Sequence, residues 1–342
     1  MQLNAGEDSR YEENPGDCVG GADVLDLRRH RAWAELTYME RFVHGYAGRR
    51  GHLVYPFTMV GGDPSSTGTT TVTTYLIPFK LVFQASDQSQ ACGSAPVTFD
   101  PYKVLSNGQA VVDNVISSPI FTPVPFSQGS GDTLQYIDAF QRANFWGVVQ
   151  GNTSYHLKLG PLPVTVLQTP PLVIPAANGS AKDETGTLGG CMGIVYDWGW
   201  FVGQILIAMS SLSQVQPNTL PIFLTDDVFL TSINGGFHLA TGTSNPQTYI
   251  WATYNDGSCP GGFNGLCVAQ DVADLSHEVA EWADDPFGRT SSPCPSYPLL
   301  EVGDPLLGQQ HYYSYSGANN GFSYHLQDLV MLPFFEAQTG TS

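Results

Sequence analysis

The chain has 342 residues, with 31 acidic and 13 basic side chains, a formal net charge of −18 and 42% hydrophobic residues. That hydrophobic share excludes a disordered chain, and the acidity excludes nucleic acid and anionic membrane as partners, because both demand Lys/Arg patches. Charged residues make up only 13% while Gly (37) and Pro (24) abound, which predicts an α+β fold rich in loops and strands rather than a charged helical one.

Taken in chain order, residues 1–21 are polar. Ala22 to Ala47 carries Trp33, Leu36, Met39 and Val43 at helical spacing and predicts a helix. Gly61–Thr74 is turn-rich and of low complexity, and reads as a linker or exposed loop. Strands are expected at Tyr75–Phe83, Val111–Ile116 and Tyr155–Leu159. A helix is expected at Thr133–Trp146, with Asp138, Gln141, Arg142 and Asn144 on a solvated face. Thr169–Gly190, rich in Pro, Gly and small polar residues, is the natural domain boundary. Beyond it the order is a strand from Gly193, a helix at Phe201–Leu212, strands at Leu220–Leu224, Gly236–Ala240 and Thr248–Tyr254, and a helix at Cys267–Ala283. Three regions follow: residues 1–50 with one helix, a β-rich region 51–175, and a mixed sheet with a site-bearing helix in 176–342.

Residues 1–142 sum to −5 and residues 143–342 to −13, so a cation bound in the second half meets a favourable field. The longest apolar run, Phe201 to Met209, is too short to span a membrane. The N-terminus lacks a signal-peptide pattern, yet six cysteines, four lysines and the sequons at Asn152 and Asn178 suit a secreted chain whose signal has been removed. Cys259 and Cys267 bracket a short Gly-rich loop and are expected to form a bridge. No CxxC occurs, which argues against a thiolate zinc knuckle.

The chemistry concentrates at Asp274-Leu275-Ser276-His277-Glu278-Val279-Ala280-Glu281-Trp282-Ala283-Asp284-Asp285-Pro286. Val272, Leu275, Val279 and Trp282 form an apolar stripe, and His277 and Glu281 stand one turn apart on another face. Two ligand-type side chains so placed can grip one cation, with Glu278 beside them to take a proton from water. Asp284 and Asp285 read as an acidic helix end before Pro286. Downstream, Leu300-Glu301-Val302-Gly303-Asp304 brings Glu301 20 residues after Glu281.

This arrangement resembles the zincin metallopeptidases, and more narrowly their gluzincin branch, with H-E-x-x-E in place of H-E-x-x-H. The same pattern is similar to secreted proteins of the plant exordium type. The zincin resemblance implies His277, Glu281 and Glu301 as metal ligands, Glu278 as general base and Asp304 as the carboxylate orienting His277. It also implies a peptide or protein substrate, aligned by the strand carrying Gly236 and His238. Zinc is the implied metal. Because Glu281 replaces an imidazole by a carboxylate, Mn, Fe or Ca also suit the set, and its bound water is less acidic than in a His2Glu site.

Other readings share these residues. A non-catalytic secreted protein would keep the scaffold and a structural cation, and a glycoside hydrolase would pair Glu278 with Glu301 or Asp304. His238, His311 and His325, with Tyr312, Tyr313, Tyr315 and Tyr324, are further ligand or donor candidates. Asp226-Asp227 reads as a turn or helix cap.

Overall fold

The computed structural model describes residues 30–32, 37–46, 52–64, 67–126, 133–145, 149, 154–183, 190–231, 235–256, 270–290, 299, 301, 303, 313–315 and 321–326. The first part of the chain supplies β1 (His30–Ala32), β2 (Thr37–Tyr46), β3 (His52–Val60), β4 (Gly68–Pro78), β5 (Leu81–Phe83), β6 (Val97–Phe99), α1 (Val111–Ser117), β7 (Val124–Pro125), β8 (Thr133–Leu134), α2 (Tyr136–Asn144) and β9 (Tyr155–Val166). The rest supplies β10 (Leu172–Ile174), β11 (Gly179–Asp183), β12 (Cys191–Val195), α3 (Trp198–Ser210), β13 (Thr219–Asp226), β14 (Val228–Leu230), β15 (Gly236–Thr241), β16 (Gln247–Tyr254), α4 (Ala273–Asp284), β17 (Tyr313–Tyr315) and β18 (Tyr324–Leu326). Strands in mixed sheets with a few helices make this an α+β fold.

The central sheet has the order β15-β16-β13-β4-β9. Four of its strands run parallel, and β15 lies antiparallel at one edge. Side-chain alternation divides its two faces between two cores. Leu76, Ile222, Leu224, Ile250 and Ala252 join Val279 and Trp282 of α4 in one core. Ile77, Phe223 and Trp251 join Phe201, Val202, Ile205 and Met209 of α3 in the other. Because both faces are covered, every residue of β13 and β16 is buried, the polar Thr225, Thr248 and Thr253 included. The indoles are tied in as well: Trp251 Nε1 donates to Thr225 Oγ1 at 3.2 Å, and Trp282 Nε1 donates to Thr248 Oγ1 at 3.1 Å.

The sheet takes β4 and β9 from the region before residue 175 and its other strands from the region after it. The stretch placed at the boundary is itself knitted in, since β10 pairs with β5 and β11 with β12. A disulfide between Cys92 and Cys191 adds a covalent tie across the same division. The bridge expected between Cys259 and Cys267 lies outside the described residues.

Several expectations are corrected. Within Ala22–Ala47 the described backbone is strand, with β2 pairing along its length with β3. Met39 and Val43 are four apart, an even spacing that a strand face satisfies as well as a helix does, and the aromatic and β-branched residues around them favour the strand. The Thr-rich part of Gly61–Thr74 is the start of β4 rather than a linker, as its β-branched residues allow. Tyr75–Phe83 is interrupted after Pro78, where β4 ends. Val111–Ile116 is helical: Val111, Val112 and Val115 are its buried apolar residues, a one-sided pattern that a short apolar run does not distinguish from a strand.

The largest correction concerns α2. Asp138, Gln141, Arg142 and Asn144 are all buried, not solvated. Gln141 Nε2 and Asn144 Nδ2 donate to the two oxygens of Asp284 on α4, at 2.8 and 3.1 Å. Arg142 donates to the Tyr155 carbonyl at 2.8 Å, and Asp138 pairs with His156 at 2.8 Å. A polar helix face is buried here because a second polar surface meets it.

Candidate metal centre

Helix α4 lies against β16 and β15. Its apolar stripe enters the core, which turns His277, Glu278 and Glu281 toward the edge-strand side. Glycine makes the close approach possible. A Cβ on Gly236 would sit 2.6 Å from Glu278 Cγ, and one on Gly235 would run into the Asp274 carboxylate. The helix stops before Pro286, and the turn beyond it is held by Asp285. That buried carboxylate accepts from Arg289 N at 2.9 Å, Thr290 N at 2.7 Å and Thr290 Oγ1 at 2.8 Å. Asp284 and Asp285 do form the acidic end of the helix before Pro286, and both are buried.

Four side chains gather around Glu281. His277 Nε2 is 3.1 Å from Glu281 Oε2, and His238 Nδ1 of β15 is 4.0 Å from the same oxygen. Gly303 N donates to Glu281 Oε1 at 3.1 Å, bringing the downstream segment to the helix. Potential donor atoms of His238, Glu281 and Glu301 lie within 4.8 Å of one another, as do those of His277, Glu278 and Glu281. Glu281 belongs to both groups. Side-chain exposure is 14% for His277, 8% for Glu278, 4% for Glu281 and 3% for His238, so His277 is the most open of these four.

Electrostatics separate the two helix carboxylates. Burial raises Glu278 above the ordinary glutamate range, and the nearby histidines only partly offset it. Burial pushes Glu281 upward too, but His277, His238 and the Gly303 amide outweigh it and bring Glu281 below its ordinary value. The two neighbouring carboxylates are thus shifted in opposite directions. Burial would lower His238; its hydrogen bond to Glu278 and the surrounding carboxylates reverse that and raise it. Asp274, one turn before Glu278, is raised by burial to about 7.

The donor set fits a divalent cation. Two donors 3.1 Å apart match the edge of a tetrahedron about 3.4 Å long around zinc bound at about 2.1 Å. A second acidic group, Asp226, Asp227 and Asp256, has the same spacing but already holds a cation. Lys103 Nζ stands 2.6 Å from Asp256, 3.5 Å from Asp227 and 3.8 Å from Asp226. Asp226 ends β13 and Asp227 makes the bend into β14, as a turn reading expects, but both side chains are buried.

Of the sequence-derived candidates, His277 and Glu278 group with Glu281, and Glu301 groups with Glu281 and His238, but His277 and Glu301 do not fall in one group; Gly236 lies against Glu278. Asp304, His311 and Tyr312 lie outside the described residues. Tyr324 donates to the Asn114 carbonyl at 2.8 Å, and His325 pairs with Asp271 at 2.6 Å, so both are engaged elsewhere. Sequence reasoning missed the Gly303 amide and the Asp285 carbonyl, main-chain groups that no side-chain pattern reveals. It also missed the Lys103 cluster, whose members are brought together only by the fold. No family model, curated protein or solved structure matches this chain.

Proposed function

We propose that the chain is a secreted, metal-dependent peptidase, with His277, Glu281 and Glu301 holding the cation and Glu278 acting as general base. The observation that carries this reading is the gathering of histidine and carboxylate donor atoms around the buried Glu281, within 4.8 Å of one another in each of the two groups that share it. A divalent cation held there, zinc or alternatively Mn, Fe or Ca, supplies Lewis-acid polarisation of the scissile carbonyl and a more acidic water. Glu278 takes the proton from the attacking water and passes it to the leaving amine. The antiparallel edge strand β15, beginning at Gly236 beside Glu278, suits an extended peptide added to the sheet by main-chain pairing. The Cys92–Cys191 disulfide supports an oxidising, extracellular setting.

Removal of the metal tests the proposal. Chelation is expected to abolish cleavage of an unfolded protein substrate, and Zn²⁺ or Mn²⁺ to restore it. Cleavage that survives complete metal removal rules out the mechanism. Metal-loaded protein that cleaves nothing across a broad peptide library instead supports a non-catalytic scaffold with a structural cation.

A further inference from the structure

We propose that His238 is an additional metal ligand, binding through Nδ1 the cation that Glu281 and Glu301 share, which makes the site selective for a borderline transition ion over calcium. This rests on the metal-site reading above and adds a donor from the edge strand.

The hydrogen bonds of the ring carry the argument. Its Nε2 lies 2.9 Å from the Asp285 carbonyl oxygen, and that oxygen can only accept, so Nε2 bears a hydrogen. Its Nδ1 therefore faces the other way, 3.2 Å from Glu278 Oε2 and 4.0 Å from Glu281 Oε2. An imidazole with one N–H tied to a main-chain carbonyl and the other nitrogen turned to carboxylates has the setting of a metal-ligating histidine. A proton on Nδ1 can give way to a cation without rotation of the ring.

The surroundings hold that orientation. The Asp285 side chain is fixed by Arg289 and Thr290, and its amide donates to the Glu281 carbonyl at 2.7 Å. His238 is 5% exposed, and Gly236 on the same strand is pressed against Glu278. Among the described residues, the ion pairs of Glu278 and Glu281 are made with His238 and His277 and with no Lys or Arg.

With His238 included, the set becomes two imidazoles and two carboxylates. Calcium prefers all-oxygen coordination, whereas Zn, Fe, Co and Mn accept imidazole nitrogen. X-ray absorption on the protein loaded with Zn²⁺ tests this: two imidazole ligands are expected in the wild type, and an imidazole count that His238→Gln leaves unchanged would overturn the proposal. His238→Gln supplies the second arm, since its amide keeps a donor for the Asp285 carbonyl. It is expected to leave one imidazole and weaken Zn²⁺ binding by about 10–100-fold or more, with an unchanged circular-dichroism spectrum. Unchanged affinity and an unchanged imidazole count in that variant sink the His238 assignment but leave the parent site standing. A wild-type protein that takes up no ion overturns both. Binding of Ca²⁺ as tight as that of Zn²⁺ also contradicts the proposal.

Discussion

Glu278→Gln is expected to reduce peptide cleavage by about 10²–10⁴-fold while metal uptake stays at the wild-type level. The two carboxylates of α4 stand in different surroundings. Glu281 is held ionised by His277, His238 and the Gly303 amide, which suits a ligand. Glu278 is raised by burial, which brings it nearer to the pH at which a base must both accept and release a proton. Glutamine keeps the volume packed against Gly236 and keeps a polar contact for His238, so the site retains its shape. Only the proton-transfer function is removed. Steady-state cleavage and metal content measured on the same preparations separate the two roles. Full activity in the variant would remove Glu278 from the mechanism, and loss of metal would make it a ligand.

Asp284→Ala is expected to destabilise the protein by about 3 kcal/mol, more than a substitution on the helix surface would. Asp284 is fully buried and accepts from Gln141 and Asn144, joining α2 to α4. Alanine leaves both amide donors enclosed without that acceptor and opens a small void. Relief of the carboxylate's own desolvation offsets part of the loss. The thermal midpoint should fall by roughly 4 °C. Asp284→Asn, which keeps one acceptor oxygen, should fall less. An alanine variant that melts within about 1 °C of wild type would show that the α2–α4 contact contributes little.

The parts legible in the sequence are those whose information is local. The i, i+4 placement of His277 and Glu281 beside an apolar stripe marks helix α4, and the β-branched and aromatic residues of Leu220–Leu224 and Thr248–Tyr254 mark the strands β13 and β16. Long-range pairing is not legible in the same way. Residues 37–46 satisfy a helical spacing yet form β2, because β3 pairs with them. The polar face of α2 looks solvated until Asp284, far along the chain, is found opposite it. His238 stands 40 residues from Glu278, and its orientation depends on the Asp285 carbonyl. That dependence belongs to the backbone of a turn and leaves no mark on residue type.

The central claim is that α4 and its surroundings hold a divalent metal. Metal content by ICP-MS, on protein purified without chelator, tests it most directly when measured beside His277→Ala and Glu281→Gln. About one equivalent of a transition metal in the wild type, lost or sharply reduced in both variants, is the predicted result. A wild type that stays metal-free after incubation with Zn²⁺, Mn²⁺ and Fe²⁺, or variants that keep a full equivalent, would contradict it.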